Sequence, residues 1–89
     1  MKIMKKAQAG TMQSSDLMVF VEPAEELLID IESTVAKQFE HLIRAKAQDT
    51  LKGLDVENGH IRINDRGALD YAIEARLKTA VQRSAGVAK

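Results

Sequence analysis

The chain has 89 residues with 13 Lys plus Arg against 13 Asp plus Glu, so its formal net charge is zero. Without a basic excess, and with aromatics at only 3%, it lacks both the electrostatic footprint and the stacking platform of a nucleic-acid binder. It encodes no cysteine, which removes disulfides, thiolate metal sites and a Cys nucleophile.

This length predicts one domain spanning 1–89. It buries only about 60–65% of its unfolded surface, so its stability is modest. The basic start Met1-Lys2-Ile3-Met4-Lys5-Lys6 is not followed by an apolar core of signal-peptide length. The longest strongly apolar run, Leu17 to Val21, falls far short of the ~20 residues of a membrane span. A cytoplasmic protein with no membrane partner is the simplest expectation.

Residues 1–16 carry Gly10, Thr11, Ser14, Ser15 and Asp16 with little periodicity. They read as a mobile N-terminal arm. Leu17-Met18-Val19-Phe20-Val21-Glu22 is rich in β-branched and aromatic residues and predicts a strand. Pro23 ends it. After a turn through Glu25-Glu26, Ile29 and Ile31 alternate with Asp30 and Glu32, the period of a half-buried strand. The short connection predicts an antiparallel hairpin between these two strands.

Ser33 or Thr34 is a natural N-cap for a helix over 34–52. Val35, Phe39, Leu42, Ile43, Ala47 and Leu51 form its apolar stripe, and Gly53 its stop. Asn58-Gly59 marks a turn before a third strand over His60–Ile63. Asn64-Asp65-Arg66-Gly67 is a polar break. Leu69, Ile73, Leu77, Ala80 and Val81 then predict a second helix, with Glu74 and Lys78 paired on its outer side. Residues 87–89 make a loose tail. The sum is an α+β domain of order β-β-α-β-α, a small sheet with both helices on one face.

No self-contained active site or metal site is visible. His41 and His60 have no His, Cys or paired carboxylate at ligand spacing. Asp30 and Glu32 are outward strand positions, and Asp49, Asp55, Asp65 and Asp70 sit where anions suit caps or helix starts. One segment stands apart, Ala9-Gly10-Thr11-Met12-Gln13-Ser14-Ser15-Asp16. It is small and polar, and it offers a reachable serine hydroxyl. On the residues alone the simpler reading is a flexible turn in which Ser14, Ser15 and Asp16 start the strand through side chain–backbone bonds.

That segment resembles a block of the citrate lyase acyl carrier protein family, together with Val35-Ala36-Lys37-Gln38-Phe39, Ile63-Asn64-Asp65-Arg66-Gly67-Ala68-Leu69-Asp70 and Arg83-Ser84-Ala85-Gly86. The resemblance spans nearly the whole chain, in the right order. It implies a non-catalytic gamma subunit carrying a prosthetic group derived from 2'-(5''-triphosphoribosyl)-3'-dephospho-CoA, joined to Ser14 through a phosphodiester by a transferase. Ser15 departs from the pattern, since glycine stands there in many relatives, and it leaves a second adjacent hydroxyl.

The resemblance further implies an alpha subunit that exchanges the carried acetyl group for citrate. A beta subunit then cleaves the citryl thioester to oxaloacetate. Carriers of malonate decarboxylase and citramalate lyase use the same kind of group and are the alternatives within the class. A non-catalytic interaction domain is the alternative outside it. Arg44, Arg62, Arg66 and Arg76 are candidates for contacts with phosphate or with partner carboxylates.

Overall fold

A computed structural model describes residues 1–33 and 39–86. The strands are β1 (Ala7–Gly10), β2 (Leu17–Glu22), β3 (Leu27–Ser33) and β4 (Gly59–Asp65), and the helices α1 (Glu40–Gly53) and α2 (Asp70–Ser84). The strands form one sheet in the order β1-β2-β4-β3.

The α+β class and the placement of both helices on one face hold. The order gains a strand, becoming β-β-β-α-β-α. Ala7–Gly10, read from sequence as part of an arm, is the edge strand β1, antiparallel to β2. Its Ala-Gln-Ala-Gly composition carries almost no β propensity. It forms because β2 offers it a ladder and α2 packs against it.

The predicted β2–β3 hairpin does not form. β4 lies between them, antiparallel to β2 and parallel to β3. A parallel pair needs a long crossover, and α1 supplies it between β3 and β4. β4 earns the central place by its pattern, with Gly59, Ile61, Ile63 and Asp65 all buried.

Sheet register aligns the inward positions. Ala9, Val19, Ile63 and Ile31 form one row, and Ala7, Val21, Ile61 and Ile29 the next. Against them pack Ile43, Ala47 and Leu51 from α1 and Ile73, Leu77, Ala80 and Val81 from α2. Each fully buried Leu or Ile here contributes roughly 1.5–3 kcal/mol. These residues recur at the three- and four-residue spacing expected of amphipathic helices.

The first helix is described from Glu40; its expected start over 34–38 lies outside the described residues. Phe39 is its N-cap residue; Val35 and the proposed cap Thr34 fall outside the described residues. Ser33 ends β3, and its hydroxyl donates to the Asp65 carboxylate at 3.0 Å. Phe39, Leu42 and Leu69 of the predicted stripes are exposed. Glu74 pairs with Lys46 of α1 at 3.3 Å instead of with Lys78, so that ion pair joins the two helices. The expected tail over 87–89 also lies outside the described residues.

The outer face of the sheet is open. Arg62 lies over the Phe20 ring at 5.2 Å. His60 sits between Glu22 at 3.4 Å and Asp30 at 2.7 Å. No described helix is long and apolar enough to cross a membrane.

A pinned loop that presents Ser14

The β1–β2 connection, Thr11 to Asp16, carries the serine singled out by sequence. Its entry is fixed by Gly10, at φ +106°. A Cβ there would stand 2.0 Å from the Leu17 carbonyl oxygen. Glycine is required here on steric grounds, because no side chain fits where β1 meets β2.

From this point the loop is tied down on three sides. The Thr11 N–H donates to the Leu17 carbonyl at 3.0 Å, closing the hairpin. The Ser15 N–H donates to the Arg66 carbonyl at 2.8 Å, and the Arg66 N–H donates to the Asp16 carbonyl at 2.9 Å. These two bonds extend the β2–β4 ladder past its last register pair and lash the loop to the β4–α2 connection. The third tie is a clamp on Asp16. Its carboxylate accepts from Arg76 Nε at 3.1 Å and Nη2 at 2.9 Å, from the Thr11 hydroxyl at 2.6 Å and from the Leu17 N–H at 2.8 Å.

Bidentate guanidinium–carboxylate geometry is the strong form of such a bond. The Arg76 hydrogen bonds first, then that of Thr11, hold the Asp16 carboxyl down from 3.8 to about 2. The clamp joins residues far apart in sequence, which is why periodicity did not reveal it. Arg76 was a candidate for outside contacts; it is spent inside the fold.

Ser14 is exposed at the crest of this loop, and its hydroxyl makes no hydrogen bond among the described residues. A free hydroxyl on a backbone held at both flanks can be modified without unfolding its support. Ser15 is exposed too, at φ +66°, the left-handed region that costs an ordinary L-residue roughly 1–2 kcal/mol.

Behind the loop, Asp65 is buried. It accepts from Ser33 Oγ, the Gly67 N–H at 3.2 Å and the Ala68 N–H at 2.9 Å. The carboxylate thus shapes the turn that brings Arg66 to the loop. Sequence reading placed Asp65 as a cap or helix boundary; its spacing to Gly67 is the signal for this tighter role. Two of the other three arginine candidates are occupied. Arg44 donates to the Ile29 carbonyl at 2.8 Å and faces Glu40, and Arg62 stacks on Phe20. Arg66 alone of the four has no hydrogen bond, ion pair or ring contact to its side chain among the described residues. No cluster of His, Asp and Glu able to hold a metal occurs among the described residues.

A small sheet-and-helix domain that holds serine hydroxyls outward on a fixed loop has the build of a carrier domain. The comparisons with known proteins agree. The family described as the malonate decarboxylase delta subunit, an acyl carrier protein family, matches residues 4–84. The citrate lyase acyl carrier protein of Halothermothrix orenii is 46% identical over 94% of this chain and 90% of its own length. That of Albidiferax ferrireducens is 53% identical over 100% and 93%, and that of Pectobacterium atrosepticum 51% over 94% and 88%. The chain belongs to this acyl carrier protein family, and it is a carrier with no catalytic activity of its own. A solved Pseudomonas malonate decarboxylase hetero-tetramer contains a chain of the same fold. It has a TM-score of 0.77 and 23% identity, covering 91% of this chain and 84% of that one.

Proposed function

We propose that the chain is the acyl carrier subunit of a citrate lyase and bears a CoA-derived prosthetic group on Ser14 Oγ through a phosphodiester. The observation that carries this reading is the free, exposed Ser14 hydroxyl on a loop pinned by Asp16, Arg76 and Arg66. The donor set fits a phosphodiester: an accessible hydroxyl to esterify, an uncommitted guanidinium on the neighbouring turn, and an adjoining carboxylate, Asp16, that Arg76 already neutralises. The group itself, derived from triphosphoribosyl-dephospho-CoA, supplies the thiol on which acyl thioesters are held.

The chain's own residues anchor, orient and support. Ser14 is the covalent anchor, and Gly10, Ser15 and Asp16 fix where it points. Tethering keeps the acyl group at about millimolar effective concentration near both catalytic subunits. Those partners are an alpha transferase and a beta lyase, with a separate transferase attaching the group in the cytoplasm. The exposed apolar side chains of Phe39, Leu42 and Leu69 border a groove of about 380 Å³ that also reaches Asp65 and Gly67. Such a surface suits docking onto larger subunits.

Malonate decarboxylase is the second reading, favoured by the family description and the shared fold. The citrate lyase carriers at 46–53% identity weigh against it, since the malonate decarboxylase chain reaches only 23%. With no cysteine encoded, a thiol titrated on the protein purified from its host belongs to an attached group. The reading predicts one thiol per chain and a complex that consumes citrate but not malonate. A thiol-free protein in an active complex contradicts attachment, and consumption of malonate reassigns the partners.

A further inference from the structure

We infer that Arg66 is the counter-ion of the phosphodiester at Ser14, holding the base of the prosthetic arm against the β4–α2 turn. The inference rests on the attachment reading above and adds a residue that does not touch the reacting acyl group. Its first support is proximity fixed by backbone. Arg66 is paired through both its N–H and its carbonyl with Asp16 and Ser15, so its Cα lies one ladder spacing, roughly 5 Å, from the residue that follows Ser14. An arginine side chain is long enough to span such a gap.

The second support is that Arg66 is uncommitted. Arg44, Arg62 and Arg76 each have a partner within the fold, whereas the half-buried Arg66 side chain has none among the described residues. The third is charge. The carboxylates that adjoin Ser15 and Arg66 in the chain are already satisfied, Asp16 by Arg76 and Asp65 by Ser33 and two backbone N–H groups. A phosphodiester anion at Ser14 would therefore meet a free cation, with these two acids already compensated. Guanidinium matches two phosphate oxygens at once, which a solvated lysine does not.

The test is a cycle of four proteins: Arg66 and Arg66→Ala chains, each unloaded and loaded with the prosthetic group, with loading verified by intact mass. Loading is expected to raise the melting temperature of the Arg66 chain by about 2–4 °C more than that of the Ala chain. The excess shrinks at high salt. Arg66→Lys keeps part of it, and Arg66→Gln, which retains a side chain of similar length, loses it. In the loaded wild type, the phosphorus NMR resonance of the diester moves as salt rises; in Arg66→Gln it stays. Equal loading shifts in all four side-chain versions, with mass added at Ser14, overturn the role of Arg66 alone. No mass added at Ser14 overturns the attachment reading and this inference together.

Discussion

Replacing Asp16 with Asn probes the clamp that holds the carrier loop. Asn retains one acceptor oxygen and turns an amide nitrogen toward a donor, so it cannot satisfy Thr11, Leu17 and both Arg76 nitrogens. Lowering the carboxyl from 3.8 to about 2 sets a ceiling of about 2 kcal/mol, at about 1.4 kcal/mol for each pH unit. The Asp16 side chain is 15% exposed but its partner Arg76 is 42% exposed, so water screens the pair and about 1 kcal/mol is expected. The sign follows from the lowered folded value. The contribution is complete above the unfolded carboxyl value, near pH 4, and is lost as pH falls from there to about 2. Urea unfolding of wild type and Asp16→Asn, run from about pH 6 down to about pH 2, reads the difference directly. The wild-type advantage must shrink across the acid range while slopes stay equal. An advantage that is constant with pH, or grows as acid is added, refutes the clamp as an ionic device.

Three further substitutions read other parts of the site. Ser15→Gly removes left-handed strain at φ +66° and should raise stability by up to about 1 kcal/mol in urea unfolding, after Gly's own entropy cost; a loss would show that the Ser15 side chain is a structural contact. Gly10→Ala sets a Cβ against the Leu17 carbonyl at 2.0 Å and should cost more than about 2 kcal/mol, seen as a drop in melting temperature; an unchanged value would place Gly10 elsewhere in φ. Asp65→Ala leaves the Ser33 hydroxyl and the Gly67 and Ala68 N–H groups without their acceptor and should cost about 2–4 kcal/mol; hydrogen exchange should quicken first at Gly67 and Ala68.

Much of the fold is legible in short-range pattern. Ile43, Ala47 and Leu51, and Ile73, Leu77, Ala80 and Val81, mark the helices by spacing alone, and the composition of β2 and the alternation of β3 and β4 mark three strands. What pattern does not carry is pairing. Leu17–Glu22 and Leu27–Ser33 are joined by a turn and look like a hairpin. Only the later segment Gly59–Asp65, apolar at alternate positions and buried on that face, decides that it lies between them. β1 escapes notice because Ala7, Gln8, Ala9 and Gly10 have no strand character of their own.

At the site, the exposure of Ser14 follows from its polar surroundings, and its proposed role from family resemblance. The clamp between Asp16 and Arg76 was hidden, because an arginine on a helix reads as a surface charge until its partner is placed. Ser15 was visible as an oddity, and its backbone conformation supplies the reason. Arg66 was one of four candidate arginines, set apart only once the other three were found occupied.

Intact-mass analysis of the protein coexpressed with its modifying enzymes, beside Ser14→Ala prepared identically, bears most directly on the carrier assignment. Wild type should gain the full mass of one phosphoribosyl-dephospho-CoA group while the variant stays at its polypeptide mass. A variant that gains the same mass, or a wild type from active host complex that gains none, would contradict it.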